Sequence, residues 1–209
     1  MSLEIIYCDA AFLVLNKPGG LLAVPGRGSD KQDSLATRVQ AVYPEARIVH
    51  RLDMATSGIM LMARGVAMQR ELNRHFAQRA IHKQYVAVVH GRISEQAGMI
   101  ELPVAADWPR RPRQKVDVCH GKVALTTYQA LHYDAASNTT RVMLQPYTGR
   151  SHQLRVHLQA IGHPIVGDTL YAEGYDQVPG ARLLLHACSL EFSHPANGQP
   201  CVFACPPLF

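Results

Sequence analysis

One carboxylate stands out because polar residues of several kinds surround it. The stretch His-Arg-Leu-Asp-Met-Ala-Thr-Ser-Gly, residues 50–58, places Asp53 beside Arg51 and two hydroxyls. It shows no regular periodicity and precedes the apolar run Ile59–Ala63; loops held by rigid strands are where reactive groups usually lie. A carboxylate there can act as a nucleophile or as a base. From spacing alone, the favoured interpretation is still that Asp53 caps a turn and Arg51 lies on the surface.

Two further stretches place a polar side chain inside an apolar pattern. Arg155 ends the stretch Gly-Arg-Ser-His-Gln-Leu-Arg, on a helix for which Ser151 is the predicted N-cap. Arg155 would emerge beside the buried face of that helix and need a carboxylate partner, for which Asp53 is a candidate. The alternative is a phosphate-binding or surface arginine. Tyr85 interrupts an apolar strand, and its pattern alone favours a core tyrosine with a bonded hydroxyl.

The elements that must position these groups are mainly strands. Apolar runs around Cys8–Ala10 predict an opening β-hairpin, Ile59–Ala63 predicts a buried strand, and Val66–Gln78 predicts an amphipathic helix. Hairpins are more evident than βαβ units, which indicates an α+β fold with a largely antiparallel sheet. The remaining predicted elements are a helix from Asp33 or Ser34 through Val42, a helix from Ser151 to about Ile161, and strands at Tyr85–Val89, Val123–Leu131, Thr140–Leu144, Leu183–Ala187 and Val202–Ala204.

Five motifs in a fixed order resemble the RluA family of pseudouridine synthases, and the resemblance extends over nearly the whole chain. It implies the pseudouridine synthase catalytic fold, an α+β architecture with a largely antiparallel mixed sheet flanked by helices and loops. We expect a single catalytic domain spanning 1–209. Because the catalytic pattern starts almost at once, we expect no RNA-binding S4 domain. The five motifs are His50–Gly58, Lys83–Ala87, Gly149–Arg155, Gly162–Asp168 and Leu185–Ala187.

The resemblance also implies an activity and roles for individual residues. The chain would isomerise uridines in structured RNA, in both 23S ribosomal RNA and the tRNA anticodon stem-loop, without a cofactor or a metal. Asp53 would be the catalytic carboxylate and Arg155 its ion-pair partner. Tyr85 would stack on the target base and help to remove its C5 proton, while Leu185 would form the apolar wall of the pocket. Arg51 would fill the gap left when the base leaves the stack.

Further basic residues are predicted to contact the RNA backbone. The chain carries a net charge of +5, and 16 of its 21 basic residues are arginines, which bind phosphate in a forked geometry. The segment from Asp107 to Lys115 is dense in basic residues, although a solvated loop is an alternative interpretation. His152 lies five residues before His157, a spacing that favours structural roles for both. The predicted contacts are Arg110, Arg111, Arg113, Lys115, Arg150 and His152.

Composition limits the other classes of function. No apolar run is long enough to cross a bilayer and the N-terminus does not resemble a signal peptide, so we expect a cytoplasmic protein. The resemblance implies a monomer, since the family generally acts as single chains, with RNA as its partner. The five cysteines are scattered, which argues against a disulfide framework. A zinc site could be drawn from four residues, but their spacing matches no common pattern. These are His186, Cys188, Cys201 and Cys205.

Three other functions remain open at this point. The chain could be a non-catalytic RNA-binding protein, or a synthase that modifies only tRNA or only ribosomal RNA. It could also be a hydrolase that uses Ser57 or Ser151 with a histidine. The hydrolase has weak support, because the residues around Ser57 do not form the Gly-x-Ser-x-Gly elbow.

Overall fold

The computed structural model describes residues 3–175 and 182–209. The chain packs as two compact units. The first comprises Met1–Lys83 and His186–Leu208, and the second comprises Gln84–Leu185 and Phe209. The prediction of one catalytic domain spanning 1–209 stays a prediction.

Strands outnumber helices in the described part of the chain, as the sequence predicts for an α+β fold. The strands are β1 (Ile5–Cys8), β2 (Phe12–Lys17), β3 (Ala46–Ile48), β4 (Ser57–Arg64), β5 (His82–His90), β6 (Ala97–Glu101), β7 (Val104–Ala106), β8 (Gln114–Val116), β9 (Leu125–Asp134), β10 (Thr139–Pro146), β11 (Leu185–Ser193) and β12 (Pro200–Ala204); the α-helices are α1 (Leu35–Gln40), α2 (Gly65–Ala77) and α3 (Gln153–Ala160). Two 3-10 turns lie at Ser29–Lys31 and Trp108–Arg110. No helix among these is both long and apolar enough to cross a membrane.

The sheet of the first unit is mixed. Strand β2 pairs antiparallel with β1 and β4, β3 with β4, and β12 with β11, whereas β11 lies parallel to β4. The parallel pairing sets His186 opposite Ser57 and Ala187 opposite Gly58. Gly58 has a φ of 110°, a backbone conformation that residues with a side chain rarely adopt. A Cβ added there would lie 2.2 Å from the carbonyl oxygen of Ala187. Glycine is therefore required where β4 leaves the loop that carries Asp53.

Two helices cover opposite faces of this sheet. Along β2, Phe12 and Val14 pack in one buried cluster with Leu72 of α2, while Leu13 and Leu15 pack in a second cluster with residues of α1. Because successive side chains of a strand point to opposite faces, a strand covered on both sides must be apolar throughout, as β2 is until Asn16. The rigid end of β2 and the start of β4 position the Asp53 loop.

The second unit contains an antiparallel sheet in the order β5-β10-β9-β6 and a separate hairpin of β7 and β8. Helix α3 contributes Val156 to a small core with Val104, Ala124 and Tyr171. The hairpin and α3 therefore share one core, and this core places the basic segment near Arg155.

Candidate active site

The loop that carries Asp53 runs between β3 and β4 and is tied to the end of β2. Asp53 is half-buried, and its carbonyl oxygen accepts a hydrogen bond from the backbone N–H of Thr56 at 3.1 Å. The carbonyl oxygen of Met54 accepts from the backbone N–H of Gly20 at 2.8 Å and from the Lys17 ammonium at 3.0 Å. These bonds fix the backbone directly after the Asp53 side chain.

Lys17 is a buried cation beneath this loop. Its residue surface is 0% exposed, and Nζ donates to the carbonyl oxygens of Pro18 and Leu21, both at 2.8 Å, as well as to that of Met54. Burial lowers the pKa of Lys17 to about 8, and the charge of Asp53 acts in the opposite direction. Lys17 therefore joins the turn after β2 to the Asp53 loop and places a positive charge near the candidate catalytic carboxylate.

His50 anchors the start of the same motif as a neutral imidazole. Its Nε2 accepts a hydrogen bond from the backbone N–H of Leu61 at 2.8 Å, and its ring packs on Phe76 with centroids 4.9 Å apart. Burial, followed by the charge of Lys83, lowers the pKa of His50 to about 3. Because Nε2 is the acceptor, the ring proton is placed on Nδ1. After this anchor, Arg51 is exposed while the following leucine is buried, so Arg51 is presented to solvent.

Ser57 and His186 form a buried hydrogen bond, with Oγ 2.9 Å from Nδ1, and each residue is only 4% exposed. The second ring nitrogen, Nε2, lies 2.9 Å from the carbonyl oxygen of Cys205, a position a carboxylate would take in a hydrolase triad. A buried pair oriented by a backbone carbonyl fits a structural link between β4 and β11 better than a nucleophile. Both nitrogens of His186 are thus engaged, and the described residues include no group of three or more His, Cys, Asp or Glu side chains that could hold a metal ion.

In the second unit, Arg155 forms a buried forked ion pair with Asp168. Nε and one terminal nitrogen of the guanidinium each donate to a different carboxylate oxygen at 2.8 Å, and the two side chains are 5% and 0% exposed. The same carboxylate accepts from the backbone N–H groups of Leu170 and Tyr171 at 3.0 and 3.2 Å. Sequence reasoning expected a carboxylate partner for Arg155, and Asp168 is one.

Tyr171 links this ion pair to neighbouring elements. The Cζ atom of Arg155 lies 5.0 Å from the centroid of its ring. The Tyr171 hydroxyl lies 2.7 Å from Nδ1 of His152 and accepts from the backbone N–H of Gln114, also at 2.7 Å. The contact with Tyr171 gives His152 a structural role, which its spacing also favours; its predicted contact with substrate stays a prediction.

The N-terminus of α3 differs from the prediction. Ser151 was expected as the N-cap, but the N-cap is His152, in the left-handed region at φ 54°, and Ser151 is exposed. Among the described residues no side chain caps the helix; the Gln153 side chain instead ties the preceding loop to the helix start, since its Oε1 accepts from the backbone N–H of Arg150 at 3.0 Å and from the hydroxyl of Thr148 at 2.7 Å. The Ser151 assignment is wrong because the helix begins one residue later, after His152, whose left-handed backbone is accompanied by the contact of its ring with the Tyr171 hydroxyl.

The other predicted residues of the second unit lie as follows. Tyr85 is half-buried on β5, opposite Leu144 of β10, and Leu185 is buried at the first position of β11. Arg150 is exposed and its Nε donates to the carbonyl oxygen of Val123 at 3.1 Å. Asp53 belongs to the first unit and Arg155 to the second, and the pairing of the two stays a prediction.

The predicted RNA-binding segment is the hairpin of β7 and β8, whose basic residues differ in their surroundings. Arg110 donates to Asp107 at 2.7 Å, with its side chain 65% exposed, and Lys115 lies 3.3 Å from Asp117. Arg111 is exposed and stacks on Trp108. Arg113 is turned inward.

The contacts of Arg113 attach the hairpin to the rest of the second unit. Its guanidinium donates to the carbonyl oxygen of Leu170 and pairs with Glu173 at 2.5 Å, with its side chain only 19% exposed. It also lies 5.9 Å from the ring of Tyr171. Arg113 is thus the least exposed of the four basic residues, whereas the other three keep their charged groups at the surface.

Sequence reasoning assigned no role to four residues that shape these surroundings: Lys17, His50, Asp168 and Tyr171. Lys17 carried a usable signal, since it ends an apolar strand directly before Pro18, where turn carbonyls can receive a buried ammonium. His50 and Asp168 lay within the quoted motifs, but their partners are distant in sequence. Nothing in the local pattern singles out Tyr171.

The chain is similar to known proteins of one family. The family described as RNA pseudouridylate synthase matches residues 11–160. The chain is 52% identical over 207 residues to the dual-specificity RNA pseudouridine synthase RluA of Escherichia coli strain K12, covering 99% of this chain and 94% of the relative. It is 49% identical over 201 residues to the protein of the same name from Yersinia pestis, covering 96% of this chain and 97% of the relative.

The fold also matches a solved structure. Human RNA pseudouridylate synthase domain containing 1 superposes with a TM-score of 0.82 at 30% identity, covering 99% of this chain and 84% of that structure. A second human structure, RNA pseudouridylate synthase domain containing 4, has a TM-score of 0.79 at 24% identity, covering 97% of this chain and 88% of that structure, and supports the fold alone. The order of the motifs, the family match and the identity of about 50% over nearly the full length lead to one conclusion: the chain belongs to the RluA family of pseudouridine synthases.

Proposed function

We propose that this enzyme isomerises uridines in both 23S ribosomal RNA and tRNA, acting in the tRNA on the anticodon stem-loop. Support comes from relatives that are about half identical over nearly their whole length and are named dual-specificity RNA pseudouridine synthases. The basic, arginine-rich composition fits a polyanionic substrate. We further propose that the enzyme works in the cytoplasm as a monomer.

Asp53 is the proposed catalytic carboxylate. The observation that carries this assignment is the anchoring of its loop by Lys17, a fully buried cation bonded to the carbonyl next to Asp53. In the isomerisation the bond between N1 of uracil and the sugar breaks, the base turns, C5 bonds to the sugar, and the C5 proton is lost while N1 gains a proton. No electrons are exchanged and no group passes to a second molecule. A carboxylate held in place can attack covalently or accept a proton, and either route needs the loop to be fixed.

Tyr85, Arg155 and Leu185 are proposed to complete the pocket. An aromatic ring on a strand offers a flat surface on which uracil can stack. The oxygen of Tyr85 would accept the C5 proton as the phenolate. Arg155 is proposed to pair with Asp53, and its forked bond to Asp168 would hold the guanidinium in one orientation for this purpose. Leu185, already buried, would supply the apolar wall.

RNA binding is proposed to involve the exposed cations. The exposed guanidinium of Arg51, two residues before the catalytic carboxylate, is suited to fill the space left by a flipped base. The side chains of Arg110, Arg111 and Lys115, together with Arg150, would contact the backbone. We propose that Arg113 serves RNA binding by holding the hairpin rather than by direct contact, since its guanidinium is bonded within the protein.

The test of this function uses RNA labelled with tritium at C5 of uridine. The purified protein is incubated separately with an unmodified tRNA transcript and a fragment of large-subunit ribosomal RNA, and the released tritium is counted. Release from both RNAs supports dual specificity. Release from one alone would restrict the enzyme to that RNA. Binding of both RNAs without any release would replace the enzyme with the non-catalytic RNA-binding alternative.

A further inference from the structure

The hairpin of β7 and β8 carries an exposed aromatic side chain with no evident role in folding. Trp108, the one tryptophan in the sequence, is 67% exposed at the tip of the hairpin. A single exposed apolar side chain is common in proteins and needs no explanation by itself. The surroundings of Trp108 distinguish it, because a cation is stacked on its ring and the backbone beneath it is fixed.

The cation on the ring is Arg111. Its Cζ atom lies 4.7 Å from the ring centroid of Trp108, within the distance at which the guanidinium is attracted to the aromatic face. Arg110 adds a second exposed cation, oriented by its bond to the buried Asp107. Within the described residues, the tip thus presents a large aromatic surface and two positive charges, the combination that binds a base and its phosphates.

The tip is held rigidly from below. Backbone N–H groups of Asp107, Arg110 and Arg113 donate to the carbonyl oxygens of Arg113, Asp107 and Arg110 respectively, at 2.9 to 3.0 Å, which closes the turn. The base of the hairpin is bonded to Leu170 through Arg113 and to Tyr171 through Gln114. An aromatic platform that does not move binds a base with less loss of conformational entropy.

The hairpin is also connected to Arg155, a proposed site residue of the same unit. The hydroxyl of Tyr171 accepts from the backbone N–H of Gln114, and the ring of the same tyrosine lies against Arg155. A nucleotide held at the hairpin would therefore be positioned relative to Arg155 through a single intervening side chain.

We propose that Trp108, backed by Arg111, is a stacking site for an unpaired base of the RNA that carries the target uridine. This inference rests on the proposed function in taking RNA as the ligand. It differs from an electrostatic contact in one respect, since stacking on a neutral ring contributes to affinity without neutralising a phosphate.

The first test uses the fluorescence of Trp108, which reports from this site alone because the chain has one tryptophan. An unmodified tRNA transcript is titrated into the wild-type protein, with free tryptophan as the control for absorption by RNA. Stacking predicts quenching that saturates together with binding. Saturable binding without quenching would overturn the proposal.

The second test compares Trp108→Ala, Trp108→Phe and Arg111→Ala for affinity to the same transcript over a range of salt concentrations. Trp108→Ala is expected to bind roughly 5- to 150-fold more weakly, with the same dependence of affinity on salt as the wild type. Trp108→Phe should recover most of the affinity, and Arg111→Ala should lower the salt dependence by about one phosphate contact. Affinity of Trp108→Ala within twofold of the wild type would contradict stacking. A reduced salt dependence for Trp108→Ala would assign the ring to positioning Arg111, and it would also contradict stacking.

Tritium release by the wild-type protein separates this inference from the proposed function. Turnover by the wild type combined with unchanged affinity of Trp108→Ala overturns the inference and leaves the function intact. Binding that quenches Trp108 without any turnover overturns the function and leaves the inference intact.

Discussion

Replacing the buried carboxylate of Asp168 with an amide of the same shape is expected to lower the free energy of unfolding by about 3 kcal/mol. In Asp168→Asn, one side-chain oxygen remains to accept the backbone N–H bonds of Leu170 and Tyr171. The second position becomes an NH₂ group that faces the guanidinium of Arg155, so one charge-assisted bond and the neutralising charge are lost. Removing one partner of a buried ion pair costs about 3–5 kcal/mol, and the retained backbone bonds favour the lower end.

The assay is urea unfolding followed by far-UV circular dichroism at neutral pH. For a chain of this size the dependence on urea is about 2 kcal/mol per molar, so the midpoint should fall by about 1.5 M. Asp30→Asn is the matched control, because Asp30 is exposed and the same exchange there should shift the midpoint little. Arg155→Met and the double variant Asp168→Asn/Arg155→Met complete a double-mutant cycle.

The cycle separates the ion pair from other effects of the amide. We expect the double variant to be more stable, by at least about 1 kcal/mol, than the sum of the two single effects predicts. In Asp168→Asn the guanidinium of Arg155 is buried without its carboxylate partner, whereas the double variant contains neither charge. A loss below 1 kcal/mol in Asp168→Asn, or effects of the two single variants that add, would refute the reasoning that this pair holds Arg155 in place.

Three further predictions concern the first unit. Lys17→Met should lower the free energy of unfolding by about 2–4 kcal/mol, because the loss of the donor to three carbonyls outweighs the relief of a buried charge. Lys31→Met, at an exposed lysine, should leave the free energy of unfolding unchanged. Equal effects of the two variants in urea unfolding would contradict this prediction. The folded-state pKa of His50, about 3, lies below its ordinary value of 6.5, so the unfolded state binds more protons between those two pH values. The free energy of unfolding of the wild type should therefore fall, as the pH drops below 6.5, by about 1 kcal/mol per pH unit more than that of His50→Gln. Parallel stability curves for the two proteins would refute this prediction. Arg51→Ala should lower kcat/KM on folded RNA at least about tenfold, because base flipping is impaired. Arg70→Ala, at another exposed arginine, should lower kcat/KM less than about twofold. Similar losses of tritium release in the two variants would leave Arg51 only a general electrostatic contact.

Local patterns predicted most of the elements, because each is set by the alternation or period of its own apolar residues. The opening hairpin and the buried strand β4 are predicted and confirmed. The helix predicted from Asp33 or Ser34 through Val42 is also confirmed as α1, with Ser34 as its N-cap and its end at Gln40. The start of α3 is predicted one residue too early, since the N-cap is His152, held in the left-handed region with its ring bonded to Tyr171, 19 residues away in sequence. A pattern that considers a few neighbouring residues cannot represent such a contact.

The chemistry of the site could be predicted only in part. The need of Arg155 for a carboxylate followed from its place beside an apolar face, but the identity of Asp168 as a partner depends on a tertiary contact across 13 residues. The burial of Lys17 depends on the carbonyl of Met54, which lies 37 residues away in sequence. Residue type indicates which bond a buried group needs, while the fold decides which group provides it.

The measurement that tests the central claim most directly compares wild type, Asp53→Asn and the control Asp30→Asn for tritium release from C5-labelled tRNA, together with affinity for the same RNA. The catalytic assignment of Asp53 predicts that Asp53→Asn releases no tritium above the background without enzyme, binds the RNA within about threefold of the wild type, and that Asp30→Asn remains fully active. Tritium release by Asp53→Asn within about tenfold of the wild-type rate would contradict the assignment and require another residue to carry the reaction.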